Sequence, residues 1–312
     1  MDVTDHPVQF GDRTTIKKRF VQSWQLYVLL APAIVYFTIF HYVPMYGAQI
    51  AFKNFYATSG IWGSPWVGFD HFIRFFDSYY FWRLLKNTFL INLYQLALFP
   101  LPIILAISLN EVKNGTVKKW SQTLTYAPHF ISTVVVVGMI VVFLDPETGL
   151  VNNLIVFFGG EPIQFMQSPE WFRHIYVWSG EWQSLGWSSI IYLAALAGVN
   201  PELHDAAKVD GATRLQRIWN IDIPAIIPTI VVLLILNFGN FMSIGFEKIL
   251  LMQNSLNSST SDVIQTFVYE SGLVEGQYSY AAAIGLFDSV INVILIVTMN
   301  QIARKTSENS LW

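Results

Sequence analysis

The sequence contains no cysteine. Disulfides, thiolate metal sites and cysteine nucleophiles are therefore excluded. Charge is also scarce: Asp, Glu, Lys and Arg make up 12% of the 312 residues, against about 25% in ordinary soluble domains. The dipeptide Gly-Lys never occurs, so the phosphate loop G-x-x-x-x-G-K-[ST] is absent. The chain thus has no recognisable apparatus of its own for binding and hydrolysing ATP. His6, His41, His71, His129, His174 and His204 are scattered, with no H-E-x-x-H and no i,i+4 pair to hold a metal. No G-x-S-x-G elbow presents a serine nucleophile. No cofactor, metal or catalytic residue is expected in this chain, no nucleic acid is expected as a partner, and no internal repeat is evident.

What is present is apolar surface. Hydrophobic residues make up 53% of the chain and aromatics 16%. A membrane-spanning helix needs about 20 mainly apolar residues. Six segments qualify: Trp24–Pro44, Thr88–Asn110, Ser121–Leu144, His174–Leu196, Ala225–Phe246 and Ala281–Ala303. The second, third and fifth carry no charge, the fourth only Glu181 and the sixth only Asp288. The expected class is an all-α membrane protein, one transmembrane domain over 1–312, embedded in a lipid bilayer. Ala31-Pro32-Ala33 imitates a signal-peptide cleavage site. The apolar run continues through Phe40, longer than the about 7–15 residues of a signal core, so a span is the better reading.

Basic residues set the orientation. With the N-terminus inside, twelve of the eighteen fall on the inner side: Arg13, Lys17, Lys18, Arg19, Lys113, Lys118, Lys119, Lys208, Arg214, Arg217, Arg304 and Lys305. Both termini, the N-terminal segment 1–23 and the loop 197–223 are therefore expected on the cytoplasmic side. The outer segments are long and aromatic or rich in Gly, Pro, Ser and Asn, and their aromatics read first as an interfacial belt.

The loop Asn200–Pro224 is organised as a docking element. Asn200 is placed to cap a helix, Pro201 opens it, and Glu202 sits at the positive end of its dipole. Leu203, Ala206 and Ala207 share one face, Gly211 is a natural helix stop, and a second short helical pattern follows through Leu215, Ile218 and Trp219.

These residues resemble the cytoplasmic loop of ABC importer permeases, which reads E-A-A, two residues, D-G-A, eight residues, I-x-L-P. Asp205-Ala206-Ala207, Lys208-Val209, Asp210-Gly211-Ala212, eight residues and Ile221-Asp222-Ile223-Pro224 fit without a gap. The departures are Asp205 for Glu and Ile223 for Leu. Trp182–Leu203 and Asn237–Met252 further resemble the polysaccharide branch of the maltose-type sugar permeases, which imports oligosaccharides and alginate-like polymers. The resemblance covers roughly Trp24 to Lys305.

It implies a type I ABC importer permease fold with six transmembrane helices and cytoplasmic coupling helices, in a bacterial cytoplasmic (inner) membrane. Asp205, Ala206, Ala207, Asp210, Gly211, Ala212 and Arg214 would contact the ATPase. The implied partners are a second homologous permease, two ATPase subunits that bind ATP and Mg, and an extracytoplasmic solute-binding protein delivering an oligo- or polysaccharide.

Polar residues at membrane depth are costly unless they face protein or a water-filled cavity. Asn237, Asn240, Ser243 and Glu247 follow one another at near-helical spacing on the fifth span, and Gln183, Trp187 and Tyr192 make a second wall on the fourth. With Asp288 they are candidates for the substrate path. Interhelical hydrogen bonding is the competing use, and for Glu247 the favoured one. Gly186, Ser188 and Ser189 read as a tight helix contact. Pro100, Pro102, Pro224 and Pro228 favour kinks. An ion-coupled secondary transporter for a polar solute is the alternative function. It would require coupling carboxylates and inverted repeats, and leaves the Asp205–Pro224 motif without a role.

Overall fold

The structure is a computed structural model that describes residues 23–306. The N-terminal segment 1–22, with Arg13, Lys17, Lys18 and Arg19, and the C-terminal residues 307–312 lie outside the described residues. Among the described residues the chain is helical, apart from loops and an isolated antiparallel bridge between Lys53 and Trp66.

The first span begins as α1, Trp24–Phe37, and continues through a π turn and a 3-10 stretch to Phe52. No residue of α1 is buried. The second span is α2, Phe81–Leu98, and α3, Pro100–Glu111, joined at Phe99. Pro100 stands in the first turn of α3, where its missing N–H breaks nothing.

The third expected span is not one helix. It divides into α4, Gly115–Tyr126, and α5, Thr133–Phe143, which meet at 100°. Pro128 sits in the short 3-10 turn Ala127–Phe130 between them, and Ile131 is extended. Ser132 starts the new helix by accepting from the Val135 N–H. The Ile131 carbonyl freed by the break is taken by Gln183 Nε2 at 2.7 Å. Backbone that leaves a helix at membrane depth needs such a partner.

The fourth element, α6, Pro169–Ala197, is 29 residues long. At 1.5 Å per residue it outreaches the roughly 30 Å apolar core of a bilayer. It is also the most polar of the long helices and the central one, packing against α2, α3 and α4. Gly186 allows the closest approach: a Cβ there would lie 2.1 Å from the Thr125 carbonyl oxygen on α4. Gly186 thus serves tight helix packing.

After α6 come α7, Pro201–Val209, and α8, Arg214–Arg217. A π turn, Ile218–Asp222, leads directly into α9, Ile223–Gly239, so that Arg214–Gly239 is one continuous apolar rod. The helix ends at Gly239, earlier than the sequence suggested, and Asn240 takes a non-helical backbone. The linker that follows is held by side chains of other helices. Met242 N–H donates to Asn292 Oδ1 and Ile244 N–H to Gln265 Oε1, each at 2.8 Å. It then enters α10, Phe246–Met252. The chain closes with α11, Ile264–Tyr269, and α12, Tyr278–Thr306, which contains the sixth expected span.

Among the described residues, four helices are long and apolar enough to cross a membrane, and a fifth if α4 and α5 count as one bent span. The helix containing the expected fourth span is long enough but too polar to qualify by composition. Its polar groups lie where neighbouring helices can cover them.

Candidate functional site

A cavity of about 770 Å³ opens along the polar side of α6. Its walls come from α2 and Phe99, from the start of α3, from α6 and from α9. The sequence candidates Trp187, Tyr192, Asn237 and Asn240 all line it. Asn237 and Asn240 are exposed in the isolated chain, and Asn240 Nδ2 reaches only the Leu236 carbonyl, at 3.3 Å. Most of their hydrogen-bonding capacity is therefore open to the cavity. Trp187 is held by His129: the rings are stacked, with centroids 4.4 Å apart. Tyr192 is buried against Ala106, Leu196 and Ile226, and its side chain forms the floor of the wall rather than a free surface.

The other candidates do not meet there. Gln183 is engaged with the Ile131 carbonyl at the α4–α5 break, a structural use. Asn240, Ser243 and Glu247 do not form one helical stripe, because α9 stops at Gly239. Ser243 is exposed in the linker, and Glu247 stands exposed in the first turn of α10. Asp288 is buried on α12 in a separate, mainly apolar pocket with Phe246, Ile264 and Gly285. Its Oδ1 has no hydrogen-bond partner among the described residues.

Gln95, Glu181, Ser184 and Ser188 in the cavity wall were not among the candidates. Gln95 enters from α2, and Glu181 enters from the middle of α6, next to Ser184. Glu181 Oε1 is buried and without a hydrogen-bond partner among the described residues. The signal was available, since Glu181 is the only charge in its expected span.

A second assembly of residues lies beyond the C-terminal end of α6, around α7 and α8. Asn200 caps α7, its Oδ1 accepting from the Glu202 N–H at 3.0 Å. Gly211 has φ +76°, the left-handed region, and turns the chain between α7 and α8. Thr213 and Gln216 then form a reciprocal capping box at the start of α8. Asp205 accepts from Lys208 Nζ at 2.7 Å, and this hydrogen bond holds its carboxyl below the usual carboxylate range.

The element is tied to the bundle at two points. His204 Nε2 lies 3.2 Å from Oδ1 of the buried Asp222, an ion-pair contact without hydrogen-bond alignment. Arg214 Nε lies 2.9 Å from Glu111 Oε2 at the end of α3. On its outer side Leu203, Val209, Leu215 and Trp219 are exposed, Val209 at 88%. Asp205, Ala206, Asp210, Gly211 and Arg214 are likewise exposed. Four large apolar side chains are thus exposed on one short polar loop.

Known proteins of one family match this chain in sequence and in fold. Residues 99–308 match the family described as binding-protein-dependent transport system inner membrane component. The polygalacturonan/rhamnogalacturonan transport system permease protein YteP of Bacillus subtilis (strain 168) is 46% identical over 94% of this chain and 92% of its own length. Protein LplB of the same organism is 47% identical over 92% of this chain and 91% of its own length. In three dimensions the chain is similar to a bacterial ABC transporter chain involved in import of the acidic polysaccharide alginate. The TM-score is 0.87 at 42% identity, over 93% of this chain and 99% of that one. A chain of a bacterial alginate ABC transporter in complex with an alginate pentasaccharide-bound periplasmic protein gives a TM-score of 0.87 at 41% identity, over 95% of this chain and 99% of that one. The chain belongs to the family of inner membrane components of binding-protein-dependent transport systems.

Proposed function

We propose that this chain is one of two permease subunits of an ATP-driven importer of oligo- or polysaccharide. The carrying observation is the half-open cavity on α6 and α9, where amides, a carboxylate and an indole gather inside an otherwise apolar bundle. Such groups are tolerated at membrane depth only against protein or water. Sugar hydroxyls require both donors and acceptors, which Asn237, Asn240 and Gln95 supply, and Trp187 offers a ring face. The names of the relatives, transporters of polygalacturonan/rhamnogalacturonan and of alginate, point to a polysaccharide cargo and leave its charge to be decided by the residues of this chain.

The open side of the cavity and the unburied α1 are surfaces for a second, homologous permease that completes the path. In this reading α6 and the bent α4–α5 pair are both spans, which brings the total to six. Both termini and the loop 197–223 lie in the cytoplasm, as the basic asymmetry indicates. The exposed apolar face of α7 and α8 docks on one of two ATPase subunits, which hold ATP and Mg. A solute-binding protein delivers the glycan from outside. Closure of the ATPase pair moves the loop, and the contacts of His204 with Asp222 and of Arg214 with Glu111 carry that movement to α9 and α3.

The test is reconstitution of the full complex in proteoliposomes, with its binding protein first screened against a glycan panel. A bound glycan should stimulate ATP hydrolysis and be taken up. ATP-independent uptake driven by an ion gradient would sink this reading in favour of a secondary transporter. A reporter fused after Trp312 should be active in the cytoplasm, and activity outside would remove the orientation.

A further inference from the structure

Glu181 sits midway along α6 and belongs to the wall of the cavity. It is half-buried, and its Oε1 is buried without a hydrogen-bond partner among the described residues. No Lys, Arg or His is among the residues lining the cavity. Lys248 stands behind Gly180, its Nζ spent on the Tyr176 carbonyl, and among the described residues no ion pair joins it to Glu181. The polar groups that line the wall with Glu181 are neutral: Gln95, Ser184, Asn237 and Asn240. An ionised carboxylate is an acceptor only, and it binds hydroxyl donors with charge-assisted strength. A second carboxylate brought beside it would find no donor and would face like charge where little water screens it.

We infer that Glu181 selects the charge of the cargo. It accepts hydrogen bonds from sugar hydroxyls and disfavours uronate units, so the glycan that passes this wall is uncharged at that point. The inference rests on the proposed saccharide path and deepens it, because it separates this chain from a carrier suited to polyuronates. Specificity of this kind comes from a repulsive element as much as from an attractive one.

The test uses the complete transporter with its binding protein in proteoliposomes. Two glycans of equal length are compared, one with primary alcohols at C6 and one with carboxylates there. Both are supplied at concentrations that saturate the binding protein, so that its own preference drops out of the rate. The wild-type complex should import the neutral chain about tenfold faster than the acidic one. Glu181→Gln should bring the two rates within about threefold, chiefly by raising the acidic one, and Glu181→Lys should reverse the preference. An unchanged ratio in Glu181→Gln overturns the inference, as does a wild-type preference for the acidic chain. Failure of Glu181→Gln to assemble with the second permease also overturns it, since the carboxylate would then serve the subunit interface. Import of neither glycan by the wild-type complex sinks the saccharide reading itself, a result distinct from an unaltered ratio.

Discussion

The Trp187 indole lies flat on the His129 imidazole, with 4.4 Å between centroids and 2° between planes. One ring belongs to α6 and the other to the 3-10 turn that breaks the third expected span. The stack, with Phe130 edge-on to Trp187, pins the break against the helix that carries the cavity. Ring pairs of this kind contribute about 0.5–1.5 kcal/mol beyond buried area. His129→Ala and Trp187→Ala should therefore show a coupling of about 1 kcal/mol in a double-mutant cycle of thermal unfolding in detergent. Strictly additive effects would mean the rings meet without stabilising the break.

Gly186 should be the least replaceable glycine of α6. A Cβ there meets the Thr125 carbonyl oxygen at 2.1 Å and its carbon at 2.4 Å, backbone atoms that cannot swing aside. Gly186→Ala should lower stability by about 1–3 kcal/mol or prevent accumulation of folded protein. Gly138→Ala on α5 is the control, because nothing lies within 4 Å of its added methyl. Equal melting temperatures for the two variants would contradict the contact.

The sequence carried the loop well and the membrane interior less well. Asn200, Gly211 and Thr213 act within a few residues of themselves, so capping and turn chemistry predict them. Spans were legible where composition alone decides, as in α2–α3 and α12. The break at Pro128 was missed because apolar composition continues through it, and its cost is offset by Gln183, fifty-two positions away. The same remoteness explains the stripe drawn through Asn240, Ser243 and Glu247. Asn292 and Gln265 stabilise the non-helical linker there, and neither is local to it. Glu181 was visible as a lone charge, but which cavity it enters depends on the packing of α2, α6 and α9.

Asn237→Ala and Asn240→Ala should lower glycan uptake without loosening the bundle. Each amide is exposed toward the cavity, and among the described residues neither side chain hydrogen-bonds to another helix. A lost sugar hydrogen bond costs about 0.5–1.5 kcal/mol, so the double variant should transport several-fold less at limiting substrate. Normal uptake by the double variant would return both residues to a packing role.

Lys248 makes stability depend on pH. It lies on α10, outside the spans, buried with its Nζ donating to the Tyr176 carbonyl at 3.1 Å. Burial pushes its pKa down from 10.5 to about 8. Between these values the unfolded chain binds the proton and the folded chain does not, so stability rises with pH across that window. Below about 8 the whole penalty stands, on the order of 3 kcal/mol. Lys248→Met should therefore melt above the wild type at pH 7, with the gap closing as pH approaches 10.5. A gap that stays constant with pH would show that packing, not charge, separates the two.

The α7–α8 element should transmit force through a rigid turn and a close surface. Gly211 at φ +76° joins the two helices, and a β-branched side chain in that conformation costs about 1–3 kcal/mol. A Cβ at Gly211 would meet nothing within 4 Å in this chain, so the penalty falls on the backbone of the turn and not on the core. Ala206 is exposed, and an indole placed there would hold a docked partner away without touching the spans. Gly211→Val and Ala206→Trp should thus leave insertion, melting of the bundle and glycan binding by the solute-binding protein intact. Substrate-stimulated ATP hydrolysis and uptake should fall together, since both require the loop to follow the ATPase. His204 and Arg214 would still anchor the element to Asp222 and Glu111, so the loss lies at the contact with the partner. Full stimulation and full uptake in both variants would show that Asp205 to Pro224 is not where the permease is driven.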